Sequence, residues 1–130
     1  MSRAFVDASA LVKLLRRETE SERLAAELER WPALVSSALG ETELWIVARR
    51  LGASLSRVRE VADRLLLVPV SVAVLRRARE PFDEPLRTLD AVHLASALSV
   101  REGIGVFLAY DQRLLAAAAA EGLEVAAPGR

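Results

Sequence analysis

Apolar residues along this chain come in two patterns, short unbroken runs and stripes repeating every three or four positions. The runs Arg3–Val6, Ala33–Ser36, Leu67–Val70 and Val106–Ala109, with a shorter one at Leu123–Val125, predict buried strands. Between them the period is helical. Ala10, Leu11, Leu14 and Leu15 place a helix directly after Asp7. Thr19-Glu20-Ser21-Glu22 has the spacing of a capping box and predicts the start of a second helix, which Trp31-Pro32 ends. Ser37 is positioned to cap a third helix that runs to about Leu51, where Gly52 stops it. A fourth helix is expected from Ser54 or Ser56 to about Leu66 and a fifth from Ser71 to Glu80. Thr88 is expected to cap a sixth through about Arg101, broken by Gly103 and Gly105. Asp111 opens the last, through Glu121. Pro81 and Pro85 fix a loop between the fifth and sixth helices. Strands alternating with helices predict a parallel sheet covered by helices.

The chain has 130 residues, 52% of them apolar and 28% charged, which fits a single folded domain over 1–130. There is no cysteine and one histidine, His93, so disulfide frameworks, thiolate zinc sites and all-histidine metal sites are excluded. The longest apolar run, Leu114–Ala120, is far below the roughly 20 residues of a membrane span, and Asp7 arrives before a signal-peptide core could form. A cytoplasmic protein is expected. Eighteen basic residues balance eighteen acidic ones, which argues against a uniformly basic nucleic-acid clamp. Apart from Lys13, every basic residue is arginine.

In open α/β sheets, ligands bind beyond the carboxyl ends of the strands. That edge selects Asp7, at the end of the first strand, and Asp111, just past the strand before the last helix. Asp90 falls in the first turn of its helix and Glu43 about two turns into the third. Each has a plain structural role open to it: Asp7 and Asp111 as helix caps, Asp90 as a partner of the helix dipole, Glu43 as a surface acid. Glu43, however, shares a face with Leu39, Ile46, Val47 and Arg50, where an acid is costly unless it meets a cation. Four clustered carboxylates repel one another, and such an oxygen-only donor set suits Mg²⁺ or Mn²⁺. Metal held there can activate water and assist hydrolysis of a phosphodiester.

Four segments carry a family resemblance: Phe5-Val6-Asp7-Ala8-Ser9-Ala10-Leu11-Val12-Lys13, Ser36–Leu44 with Glu43, Leu86–Ala95 with Asp90, and Phe107–Leu114 with Asp111. Their order and spacing resemble the PIN domain, specifically the VapC-type ribonuclease toxins of bacterial toxin–antitoxin pairs. The resemblance covers almost the whole chain. It implies a three-layer α/β/α fold with a mainly parallel sheet of four to five strands. It also implies an endoribonuclease using Mg²⁺, with Mn²⁺ able to substitute, at Asp7, Glu43, Asp90 and Asp111. An RNA substrate, a cognate antitoxin whose tail fills the groove beside the acids, and a homodimer follow from the same likeness. One position departs from the pattern: Ala109 stands where the family commonly has Thr or Ser, two residues before the last acid.

Ser9 and Thr88 are hydroxyls able to support the acids, and Arg50 and Arg87 are the arginines placed to meet phosphate or carboxylate near them. Trp31 and Trp45 are anchors for the core or an interface, with packing or dimer contact expected for Trp45. His93, three residues past Asp90, is within reach of the pit but is expected to be a packed histidine. A haloacid-dehalogenase-type phosphotransferase would want a second Asp at position 9 and a late lysine; a receiver domain also needs the lysine. A non-catalytic PIN-like module with an incomplete metal site is the remaining alternative. With four acids neutralised by two divalent cations, 14 acids would face 18 basic residues, a mildly basic surface for RNA.

Overall fold

The computed structural model describes residues 2–130. Its strands are β1 (Arg3–Val6), β2 (Leu34–Ser37), β3 (Leu65–Val68), β4 (Ile104–Leu108) and β5 (Val125–Ala126). Its helices are α1 (Ala8–Leu11, extended by a 3₁₀ turn over Val12–Leu14), α2 (Ser21–Glu29), α3 (Ala38–Leu51), α4 (Leu55–Asp63), α5 (Val72–Ala78), α6 (Thr88–Ser99) and α7 (Gln112–Ala120).

The five strands form one sheet in the order β3-β2-β1-β4-β5, and every neighbouring pair is parallel. Side chains alternate across the sheet. Ala4 and Val6 of β1, with Val106 and Leu108 of β4, face Leu24, Leu28, Leu44 and Val58 of α2, α3 and α4. Phe5 and Phe107 face the other way, stacked at 5.3 Å between centroids, and pack with Leu94 and Leu114 of α6 and α7. Helices on both faces of a parallel sheet make the three-layer α/β/α fold.

From β1 the chain winds outward through β2 and β3, then returns to lay β4 and β5 on the opposite side. The reversal lies between β1 and β4, where open α/β sheets leave a crevice at their carboxyl edge. Asp7 N–H donates to Leu108 O at 2.9 Å and ties the two strand ends together there.

Several local expectations are corrected. The fourth helix ends at Asp63 and β3 begins at Leu65, because β3 pairs with β2 in the register Leu34↔Leu65 through Ser37↔Val68. The expected capping box at 19–22 does not form. Glu20 holds the N-cap position without a side-chain cap, and the Ser21 hydroxyl donates instead to Lys13 O at 2.8 Å. At α6 the N-cap is Arg87, with Thr88 the first helical residue. Gly105 lies inside β4, where the Trp31 ring packs so closely that a Cβ would stand 2.7 Å from Trp31 Cη2. Gly52 closes α3 in the left-handed conformation, φ 65°, as its position implied.

Candidate functional site

Asp7 is the residue at which β1 becomes α1. Its carboxylate caps α1 through Oδ2, which accepts the Ser9 N–H at 3.1 Å and the Ser9 hydroxyl at 2.7 Å. Oδ1 is buried with no hydrogen-bond partner among the described residues. The residue as a whole is only 3% exposed, so this is a carboxylate with one satisfied and one open oxygen. Ser9 does more than hold Asp7: its oxygen also accepts the Tyr110 N–H at 3.1 Å, linking the ends of β1 and β4.

Asp111 caps α7, accepting the Leu114 N–H at 3.0 Å. Asp90 sits in the first turn of α6 and is partly buried. Burial holds its carboxyl above the ordinary value for Asp, and the nearby charges of Asp7 and Asp111 push the same way. Glu43 lies in the second turn of α3, where His93 of α6 bonds its Oε1 through Nε2. His93 Nδ1 stands 2.7 Å from the Ser37 hydroxyl, which also caps α3 by accepting the Gly40 N–H at 2.8 Å. Burial opposes a charge on His93, but the bond to Glu43 and the field of Asp7 outweigh it and raise its pKa.

Asp7, Glu43, Asp90 and Asp111 therefore line one pit of about 300 Å³, together with Ser9 and His93. Arg87 lines it as well, and a neighbouring depression of about 360 Å³ continues outward past Arg87, Asp90, Asp111 and Arg113. Two of the expected supporting residues lie elsewhere. Arg50 is exposed and Thr88 is exposed; neither lines the pit, and neither makes a side-chain hydrogen bond among the described residues. Glu43 thus finds its partner in His93 and not in Arg50. That partnership, and the rim position of Arg113, were missed in the sequence. His93 is packed, 2% exposed, as expected, yet its bond to Glu43 brings it into the pit wall. Trp45 packs on the α2–α3–α4 core, with the Arg59 guanidinium 5.7 Å from its ring centre. Ala109 is fully buried among the apolar residues under α6 and α7 and offers the pit nothing.

Among the described residues, no three acidic or histidine side chains stand close enough, as placed, to ring an ion by themselves. Mg²⁺ does not require this, since it keeps several waters and is held through one or two carboxylates. An unpartnered buried Asp7 oxygen, an Asp90 whose charge is disfavoured by burial and by its acidic neighbours, and an all-oxygen donor set fit such a cation.

The PIN domain family model matches residues 4–120. Ribonuclease VapC47 of Mycobacterium tuberculosis is 34% identical, covering 96% of both chains. Ribonuclease VapC46 of the same organism is 37% identical over 98% of this chain and 99% of its own. The structure of a toxin–antitoxin complex from Klebsiella pneumoniae superposes with a TM-score of 0.72 at 20% identity, covering 96% of this chain and 97% of that one. A parallel five-stranded α/β/α sandwich with an acidic pit at its β1/β4 reversal, and relatives matched over nearly their full length, place this chain in the PIN-domain family, among the VapC-type ribonucleases.

Proposed function

We infer that this chain is a divalent-metal-dependent endoribonuclease and the toxin of a toxin–antitoxin pair, with Asp7, Glu43, Asp90 and Asp111 holding Mg²⁺ or Mn²⁺. The observation that carries the reading is the pit itself: four acids from four separate elements, with one Asp7 oxygen left open. A bound divalent cation supplies an acidified water and charge neutralisation at a scissile phosphate. The chain's own residues do the positioning. Ser9 fixes Oδ2 of Asp7 and leaves Oδ1 without a protein partner, so that Oδ1 is the oxygen that would bind the cation. His93 holds the Glu43 carboxylate, and Ser37 holds His93. Arg87 and Arg113, which line the depression beside the acids, are the arginines that would meet RNA phosphates near the cleaved bond.

The partner classes follow from the same family. A cognate antitoxin is the expected inhibitor. A homodimer is supported by exposed apolar residues gathered along edge strand β3 and the start of α5, namely Leu66, Leu67, Val70, Val72 and Leu75. No described helix is long and apolar enough to cross a membrane, consistent with a cytoplasmic site of action.

The test is incubation of the purified protein with RNA and Mg²⁺ or Mn²⁺, with a chelator control and the Asp7→Asn variant. Metal-dependent cleavage that is lost in Asp7→Asn is expected. Full cleavage in that variant, or under excess chelator, overturns the assignment.

A further inference from the structure

Beyond the pit, the most heavily bonded polar cluster of the fold surrounds Glu20. Its carboxylate is buried, 8% exposed, and accepts Lys13 Nζ at 3.1 Å on one oxygen and Arg130 Nε at 2.7 Å on the other. Lys13 is itself buried. Arg130 uses a second donor: Nη1 bonds Tyr110 O at 3.3 Å. Both cations also lie against the Tyr110 ring, Lys13 Nζ at 4.8 Å and the Arg130 guanidinium at 5.3 Å from its centre.

The segment after β5 is shaped to make these contacts. Tyr110 donates its hydroxyl to Pro128 O at 2.7 Å. Gly129 adopts φ 90° and passes so close to Glu20 that a Cβ would stand 3.2 Å from its Cα, Cβ and Cγ. Arg130 N–H closes a turn on Ala127 O at 3.0 Å. Residues 127–130 are thereby folded back over the end of β4.

Tyr110 is the hinge between this cluster and the pit. Its carbonyl is held by Arg130, its ring by Lys13 and Arg130, and its N–H donates to the Ser9 oxygen that also holds Asp7. The next residue is Asp111. Ala109 supplies no hydroxyl on this strand end, so the Tyr110–Asp111 backbone takes its polar anchorage from Ser9 on one side and Arg130 on the other.

We propose that Arg130, seated on Glu20, is a positioning residue that clamps the Tyr110–Asp111 turn and so holds Asp7 and Asp111 in register for metal. The clamp rests on the reading of the pit as a metal site. Arg130 acts through the Tyr110 backbone and touches neither metal nor RNA. Its two-donor fork is essential, because one nitrogen serves Glu20 while another reaches the carbonyl, which a lysine ammonium cannot reproduce in the same geometry.

The test is titration of the full-length protein with Mn²⁺ alone, followed by electron paramagnetic resonance, with amide exchange at Tyr110 and kcat and KM on an RNA oligonucleotide. Arg130→Ala should weaken Mn²⁺ binding about tenfold or more, speed exchange of the Tyr110 amide, and lower kcat while leaving KM nearly unchanged. Gly129→Val, which displaces the segment without removing a charge, should do the same. Arg130→Lys should stay near Arg130→Ala. An Arg130→Ala variant that loses only thermal stability and keeps wild-type Mn²⁺ affinity overturns the clamp, as does full rescue by Arg130→Lys. Wild-type protein that binds no Mn²⁺ overturns the metal reading of the pit and the clamp with it; wild-type binding that is lost in Asp7→Asn but kept in Arg130→Ala overturns the clamp alone.

Discussion

His93 and Glu43 stand 50 positions apart in the chain and are joined by a direct bond between ring nitrogen and carboxylate. The histidine is anchored on its far side by Ser37, so the carboxylate is held by a group that cannot swing away. Replacing His93 with Ala would leave the partly buried Glu43 and the buried Ser37 hydroxyl each short of a partner. The expected cost is about 1–3 kcal/mol of stability, measured by urea unfolding with chelator present. Divalent-cation affinity should fall about 10–100-fold, as is typical when the group holding a ligand carboxylate is removed.

Asp90 predicts the opposite sign in the metal-free protein. Its carboxyl is raised by burial and by Asp7 and Asp111, so the folded state binds its proton more tightly than the unfolded state does. Stability is therefore lost as pH rises through the window above its ordinary value, and the penalty is complete once the carboxyl is ionised in the folded state. Asp90→Asn should raise the unfolding midpoint at pH 7 in chelator, with the gain shrinking as pH falls below the usual Asp range. Adding Mg²⁺ should reverse the ranking. Saturation at a hundredfold over Kd would stabilise wild type by about 2.7 kcal/mol, with little change in the variant, whose RNA cleavage should be lost.

Glu20 sets a different pH window. Hydrogen bonds from Arg130 and Lys13 lower its pKa from 4.5 to about 2. A depressed carboxyl contributes stability that is present above 4.5 and lost as pH falls towards 2. Glu20→Gln should be less stable than wild type at pH 7, and the difference should narrow through that interval. Urea midpoints measured across a pH series from neutral to 2 check this; a constant difference would contradict it.

Gly105 tests the packing of the sheet away from the pit. A side chain there would drive into the Trp31 ring, itself held by Nε1 donating to Glu27 at 2.8 Å. Gly105→Ala should lower stability by about 1–3 kcal/mol and leave Mn²⁺ affinity unchanged, since neither Trp31 nor Gly105 lines the pit.

The acids were legible because their positions are dictated locally. Asp7 and Asp111 terminate apolar runs and precede helical periods, and in the structure each caps a helix while also lining the pit. Capping and site membership need not compete, since a carboxylate bonded to backbone amides through one oxygen can keep another free. The hidden features are all products of long-range contact. His93 reaches Glu43 only because α6 and α3 lie on opposite sides of the β1 carboxyl edge. Glu20, and not Thr19, takes the N-cap position of α2, and its carboxylate is held by Lys13 and Arg130, the latter 110 positions away. The α4–β3 boundary was misplaced because Leu65–Val68 is an apolar run with nothing to mark its start, and only the pairing with β2 decides where the strand begins.

The junction at Ser37 has no slack. That residue ends β2 and caps α3, and the helix starts at Ala38 with no linker between. One residue inserted there would turn α3 by about 100° relative to the sheet, carrying Glu43 away from His93 while leaving every residue of the pit in the sequence. Variation in length should therefore be found in loops such as 81–85, and the spacing between Ser37 and Glu43 should be as strictly preserved as the acids themselves.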